Sequence, residues 1–178
     1  LDLPEAMSEY EYAAHIAALA AKNRTYRSFI GMGYYPNVVP AVVSRNVFEN
    51  PAWYTSYTPY QAEISQGRLE ALLNYQTALL SLTGMEVANC SLLDEATATA
   101  EAMLMMYALR SREAVKQGRN QLFVDENIYP QTLDVLLTRS EPFGIEIIRD
   151  DFSSYEFTGK EFGAVLQFPA ANGEVRDY

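Results

Sequence analysis

Three segments of the chain combine side chains that can hold a polar ligand, and the richest of them runs from Tyr54 to Gly67. Its sequence, YTSYTPYQAEISQG, places rigid aromatic rings beside amide and carboxylate groups. Surface loops are more often rich in Gly, Ser and Lys, whereas buried strands are apolar. Aromatic rings with hydrogen-bonding tips are typical of surfaces that hold a ligand or a second chain. The segment therefore predicts a ligand-contacting wall or a protein interface.

The other two segments carry weaker signals. Gly31–Tyr35 reads GMGYY and could cradle a ligand, but it matches neither a dinucleotide-binding fingerprint nor a P-loop. Ser91–Thr97 reads SLLDEAT and predicts the start of a helix, with Ser91 and Asp94 as a capping pair. The first turn of a helix exposes backbone N–H groups that can bind an anion. The alternative is a capped structural helix that binds nothing.

Composition narrows the classes of partner and site. The 178 residues are 49% hydrophobic and carry a net charge of −10. The basic residues are expected to be dispersed among acidic ones, which argues against nucleic acid and anionic membranes as main partners. A single cysteine, Cys90, and a single histidine, His15, exclude an internal disulfide and a His/Cys zinc cluster. No metal site is predicted.

The chain also lacks signals for a membrane or an export route. No apolar run reaches the roughly 20 residues that a membrane span requires. The acidic start, LDLPEAMSEYEY, lacks the basic region of a signal peptide. The sequence therefore predicts a cytoplasmic protein.

Hydrophobic periodicity predicts the elements that position these segments. Helices are expected at 8–23, about 38–46, 61–83, 95–118 and 130–139. Strands are expected at 121–125, 144–149 and 163–168, and residues 85–91 are expected to be a strand or an extended link. Strand–helix–strand order predicts a parallel sheet with flanking helices. So few strands leave an open edge, which indicates part of a larger protein or one completed by a partner.

Three long stretches resemble the P-protein of the glycine cleavage system, glycine dehydrogenase (decarboxylating). They are SFIGMGYYPNVVP, NVFENPAWYTSYTPYQAEISQGRLEALLNYQT and LTGMEVANCSLLDEATATAEAM. The likeness runs from LPEAMSE to GEVRDY, which is nearly the whole chain. It implies an incomplete α/β domain of the fold-type I (aminotransferase-like) enzymes that use pyridoxal phosphate (PLP). Residues 1–60 would form a helix and an extended active-site arm, and residues 61–178 would begin the large domain.

The resemblance also implies an activity. In that family, PLP-bound glycine loses its carboxyl group, and the aminomethyl unit passes to the lipoyl group of H-protein. The PLP lysine lies in a motif like GSCTMK, which is absent here, and Lys22, Lys116 and Lys160 lack such a setting. The chain would resemble the front of the N-terminal half of the enzyme, with PLP held mainly by the other half. Its partners would be the C-terminal half or second subunit, lipoylated H-protein and glycine.

Particular residues acquire roles from this resemblance. The residues that would line a pocket shared with the other half are Tyr34, Tyr35, Tyr54, Tyr57, Tyr60, Gln61 and Glu63. Direct ligand contact and interface packing stay equal alternatives for them. Ser91, Asp94 and Thr97 would be a vestige of a phosphate cup, because the acidic groups at its mouth oppose a dianion. Tyr129 would occupy the position at which related enzymes stack a ring on PLP.

Two rival interpretations remain. The chain could be a non-catalytic interface module, or a fragment of another fold-type I PLP enzyme. The run TPYQAEISQGRLE favours the P-protein over the latter. Docking of an acidic partner such as H-protein would need local arginines, such as Arg24, Arg27, Arg45 or Arg68.

Overall fold

The computed structural model describes residues 3–54 and 61–178. Backbone contacts separate two units, Leu1–Pro36 and Asn37–Tyr178. The expected boundary at residue 60 borders residues outside the described ranges, and it stays a prediction.

Helix α1 (Glu9–Ala20) forms the regular part of the first unit. Ser8 and Glu11 make the expected capping box, since Ser8 Oγ accepts the Glu11 N–H at 3.3 Å and Glu11 Oε2 accepts the Ser8 N–H at 2.9 Å. None of the residues of α1 is buried. Its apolar side chains are therefore exposed on the surface of this unit.

The second unit begins with two helices that precede residues 91–97 in the chain. Helix α2 (Ala41–Val43) continues into a π-helical turn, Ser44–Phe48, so this helix begins and ends later than expected. Helix α3 (Ala62–Thr83) ends at Gly84, whose φ of 71° is the left-handed conformation that glycine adopts readily. The following residues, 85–91, form an extended link rather than a strand.

The single helix expected over 95–118 is wrong, because it is broken into α4 (Glu95–Ala108) and α5 (Arg112–Lys116). The first ends at Ala108, and Ser111 caps the second, with its Oγ accepting the Ala114 N–H at 3.1 Å. Arg110 lies in the break and donates to the Tyr107 carbonyl at 2.7 Å. The break is therefore stabilised by hydrogen bonds that compete with helix continuation.

Three strands form the parallel sheet that the sequence predicted. They are β1 (Gln121–Asp125), β2 (Glu146–Asp150) and β3 (Glu161–Val165), in the order β2-β1-β3. Helix α6 (Pro130–Ser140) connects β1 to β2. The strand expected at 163–168 lies two residues earlier at its start and three at its end, which frees Gln167 from the sheet.

The core lies on one face of β1. Leu122 and Val124 are fully buried there, together with Met103 of α4 and Leu136 of α6. Alternation along the strand directs Phe123 to the opposite face. That face is covered by the rings of Phe152, Tyr155 and Phe157 from the β2–β3 connection, with centroids 4.6 to 6.1 Å from that of Phe123. An aromatic loop thus covers the face that a crossover helix would otherwise bury.

A buried carboxylate fastens this loop to the strand. Asp125 is 1% exposed, and its two oxygens accept the Asn127 N–H at 2.8 Å and the Phe152 N–H at 3.1 Å. Arg176 Nη1 lies 3.9 Å from Asp125 Oδ2 and pairs with Asp151 at 2.8 Å. The residues after β3 are therefore tied to the end of β1.

A second carboxylate shapes the start of β3. Glu161 accepts the Tyr155 hydroxyl at 2.6 Å and the Gly159 N–H at 2.9 Å. Burial opposes the charged form, but the hydrogen bonds from Tyr155 and then from backbone and Thr158 lower the pKa of Glu161 to about 2. Hydrogen bonding to Glu161, followed by burial, raises the pKa of Tyr155 to about 12.

Stability should depend on pH through this pair. Because the folded pKa of Glu161 lies below its ordinary value of 4.5, its contribution is present above about pH 4.5 and is lost as the pH falls towards 2. We expect Glu161→Gln to lower the Tm by a constant amount between pH 7 and 5. Below pH 5, the difference in Tm between the variant and the unaltered protein should narrow. Thermal unfolding of both proteins between pH 7 and 3 checks this, and a gap that stays constant to pH 3 contradicts it.

Candidate functional site

A cavity of about 290 Å³ opens at the carboxyl ends of β1 and β3. The chain leaves β1 towards β2 on one side, while β3 lies on the other side, so the strand order reverses at this point. In open α/β sheets, ligands bind outside the strand ends at such a switch point. Polar groups on its wall come from Glu95, Thr99, Tyr129, Thr132 and Gln167. We refer to it as the switch-point cavity.

Tyr129 is held at this cavity by a residue that the sequence did not single out. The Tyr129 N–H donates to Gln167 Oε1 at 2.9 Å, and Gln167 Nε2 donates to the Pro169 carbonyl at 3.1 Å. The Tyr178 hydroxyl donates to the Gln167 carbonyl at 3.3 Å. A polar residue at the end of an apolar strand pattern was the available signal for Gln167.

The start of α4 is acidic, and one of its backbone N–H groups already has a hydrogen-bond acceptor. Asp94, rather than Ser91, is the N-cap, and its Oδ1 accepts the Thr97 N–H at 2.7 Å. This backbone hydrogen bond, with one to the Thr97 side chain, lowers the pKa of Asp94 and keeps it negatively charged. Ser91, at a φ of 66°, lines a neighbouring cavity of about 510 Å³ together with Cys90. The expected phosphate-cup residues therefore do not line the switch-point cavity with Tyr129.

The switch-point cavity does not suit the phosphate of PLP. None of its lining residues is Lys or Arg, and Glu95 places a carboxylate on its wall. Asp94 adds a second negative charge at the same helix start and occupies a backbone donor that would otherwise serve an anion. The negative charges of Asp94 and Glu95 oppose the binding of a dianion such as phosphate.

The expected pocket-wall residues that the structure describes lie in exposed positions. Tyr34 and Tyr35, in the first unit, are each 63% exposed, and Tyr54, in the second, is 64% exposed. Gln61 and Glu63 are exposed at the start of α3. Tyr57 and Tyr60 lie outside the described residues. The shared pocket stays a prediction.

The start of α3, which lies within the segment Tyr54–Gly67, is irregular. Ser65 is 3% exposed, and its φ of −128° and ψ of 26° interrupt the helix. Arg68 donates to Ser65 Oγ. Trp53, Ile64 and Arg68 line a cavity of about 290 Å³ with Ser65. The helical part of the segment Tyr54–Gly67 is thus kinked and carries polar groups.

The lysines of the chain are not lining residues of the cavity at the strand ends. Lys22, Lys116 and Lys160 are exposed, and none lines the switch-point cavity. Among the described residues, no cluster of His, Cys, Asp or Glu has the makings of a metal site. Within the same ranges, no helix has the length and apolar character to cross a membrane.

The parallel sheet, its helices and its switch point define an incomplete fold-type I domain of the PLP-dependent enzymes. A crystal structure of glycine decarboxylase (P-protein) of the glycine cleavage system, in inhibitor-bound form, is similar to this chain with a TM-score of 0.81 and 33% identity. The similarity covers 99% of this chain and 40% of that one. A family model described as glycine cleavage system P-protein matches residues 1–178. The chain belongs to the glycine cleavage system P-protein family.

Curated relatives agree with this assignment. A glycine dehydrogenase (decarboxylating) from Bacteroides fragilis is 62% identical over 178 residues, covering 100% of this chain and 19% of the relative. Relatives of the same name from Flavobacterium johnsoniae and Nostoc punctiforme are each 55% identical over 100% of this chain, which covers 19% and 18% of them. The chain therefore spans about a fifth of the length of the curated relatives it matches.

Proposed function

We propose that this chain is part of an enzyme that decarboxylates glycine and transfers the aminomethyl unit to the lipoyl group of H-protein. The continuous family match over residues 1–178 carries this proposal. The 62% identity to a glycine dehydrogenase (decarboxylating), over all 178 residues, supports the reaction. We place the enzyme in the cytoplasm.

In this proposal the parent enzyme uses PLP, and the cofactor is held mainly by its C-terminal half or second subunit. The exposed positions of Lys22, Lys116 and Lys160 support a Schiff-base lysine elsewhere. The acidic start of α4, with Asp94 and Glu95, supports a phosphate site elsewhere. No step of the reaction is assigned to the switch-point cavity. Taken alone, the chain would act as an interface module.

The role of this chain is to complete the wall of the active site. Tyr34, Tyr35, Tyr54, Tyr57 and Tyr60 would supply rigid rings and hydroxyl groups to a pocket shared with the other half. The exposure of the described tyrosines, 63 to 64%, supports a surface that a further part of the protein covers.

Two polar residues at the start of α3 would face the same pocket. The Gln61 amide can donate to substrate oxygens and accept from an ammonium group. Glu63 would repel the carboxylate of glycine, so it would orient another group instead.

Substitutions at this wall test the proposal in the full-length enzyme. We expect Gln61→Ala to lower kcat/KM for glycine–bicarbonate exchange by about tenfold, equivalent to one hydrogen bond of about 1.4 kcal/mol. Tyr60→Phe, which removes only a hydroxyl, should act in the same direction. Asn74→Ala, which removes an exposed amide of α3 outside residues 54–67, is the matched control and should leave the rate unchanged. Full activity in both wall variants would remove their assigned roles.

A further inference from the structure

A cavity of about 370 Å³ lies where α4 ends and α5 begins, and it shares no lining residue with the switch-point cavity. Its polar lining residues are Arg110, Ser111, Arg119 and Glu161. The proposed glycine chemistry uses none of these residues. We call it the arginine cavity.

Arg110 is fixed in place by three contacts. Its guanidinium carbon lies 3.4 Å from the centroid of the Tyr107 ring. Its Nε donates to the Tyr107 carbonyl at 2.7 Å, and its Nη1 donates to the Arg119 carbonyl at 2.6 Å. Within the described residues, Nη2 makes no hydrogen bond and no ion pair. A guanidinium held this firmly presents its remaining donors with little further loss of side-chain entropy on binding.

Arg119 also lines this cavity. Its Nε donates to Gln117 Oε1 at 2.9 Å. In the described part of the chain, neither Arg119 nor Arg110 forms a salt bridge, whereas Arg139 and Arg176 do. Two partly buried guanidinium groups without a carboxylate partner leave positive charge that an anion can neutralise.

The surrounding charge also favours an anion. Four of the 13 Lys and Arg residues fall within residues 110–119, where Glu113 is the only acid, although the whole chain carries −10. The expectation of dispersed basic residues was therefore wrong for this segment. Glu161 brings one negative charge to the cavity against the two positive charges of Arg110 and Arg119, so the lining residues carry a net charge of +1.

We propose that the arginine cavity binds an oxyanion, either phosphate or carboxylate. Arg110 Nη2 and the terminal nitrogens of Arg119 would donate to its oxygens, as guanidinium groups do in charge-assisted pairs. Ser111 Oγ accepts the Ala114 N–H and keeps its own hydrogen as a third donor. The oxyanion can be a free small molecule or a carboxylate from another part of the full-length protein.

The test uses the full-length protein, with inorganic phosphate as the probe in titration calorimetry. We expect saturable binding that Arg119→Gln weakens by about tenfold, because it removes one of the two charge-assisted contacts. Arg112→Gln is the matched control, since Arg112 is an exposed residue of the same segment outside the cavity lining. We expect it to change the affinity by less than about twofold.

A second measurement separates the two sources of the oxyanion. If a carboxylate of the protein fills the cavity, phosphate does not bind, and Arg119→Gln lowers the Tm of the full-length protein more than Arg112→Gln does. That result supports the oxyanion site with an internal ligand. Phosphate binding that both variants weaken equally overturns the proposal, because it reports only net charge. Absent phosphate binding, together with equal Tm values for the two variants, also overturns it.

Discussion

Replacing Phe123 with Ala is expected to lower the free energy of unfolding of the second unit by about 4 kcal/mol. The ring is fully buried, and it contacts three aromatic rings of the β2–β3 connection, of which that of Tyr155 has its centroid at 4.6 Å. Its removal leaves a buried cavity between β1 and these rings. Hydrogen exchange of the β1 amides in the full-length protein measures the opening free energy.

Phe143→Ala provides the control for this substitution. Phe143 is 51% exposed and follows α6 in a 3₁₀ turn, Glu141–Phe143. The same atoms are removed there without a buried cavity, so the loss should be below about 1 kcal/mol. Equal losses at the two positions would show that the aromatic loop does not bury the face of β1.

The second large effect is expected at Asp125. Asp125→Ala should lower the free energy of unfolding by about 3 kcal/mol, because the N–H groups of Asn127 and Phe152 lose their buried acceptors. It also removes the carboxylate 3.9 Å from Arg176. Exchange of the Asn127 and Phe152 amides should accelerate together, since one side chain protects both.

Asp150→Ala is the matched control, since Asp150 is the exposed register partner of Asp125 on β2. Its loss should change stability by less than about 0.5 kcal/mol. Asp125→Asn keeps one acceptor oxygen, so it should fall between the two alanine variants. A loss for Asp125→Ala no larger than that for Asp150→Ala would mean that the carboxylate does not fasten the loop.

Local sequence signals specified those elements whose ends are capped by nearby residues. The capping box of Ser8 and Glu11, the left-handed Gly84 and Pro130 in the first turn of α6 placed helix ends that the structure reproduces closely. Strand β1 was predicted at its observed bounds, because an apolar run between polar residues leaves little choice of register.

Long-range hydrogen bonds decided the elements that the sequence misplaced. The Arg110 hydrogen bond to the Arg119 carbonyl, nine residues away, stabilises the break between α4 and α5 together with the Ser111 cap, although Ala, Met and Leu favour a continuous helix. The end of β3 depends on Gln167 bonding to Tyr129, 38 residues away. Neither contact follows from propensity or periodicity.

The candidate site was predictable in its parts more than in their arrangement. The resemblance named Tyr129 and the start of α4, and the structure places Tyr129 and Glu95 on one cavity. It did not indicate that Asp94 would occupy the Thr97 N–H, because either Ser91 or Asp94 can serve as a cap. The wall that includes Tyr34, Tyr54 and Gln61 depends on protein beyond this chain, and its geometry stays a prediction.

We propose that this chain shapes the active site of a glycine decarboxylase without holding its cofactor covalently. The most direct test replaces Lys22, Lys116 and Lys160 together with Arg in the full-length protein, which preserves charge. The PLP absorbance band and the glycine-dependent release of carbon dioxide are then measured in one sample. We predict that both equal those of the unaltered enzyme. Loss of both the PLP band and the release of carbon dioxide would contradict this proposal.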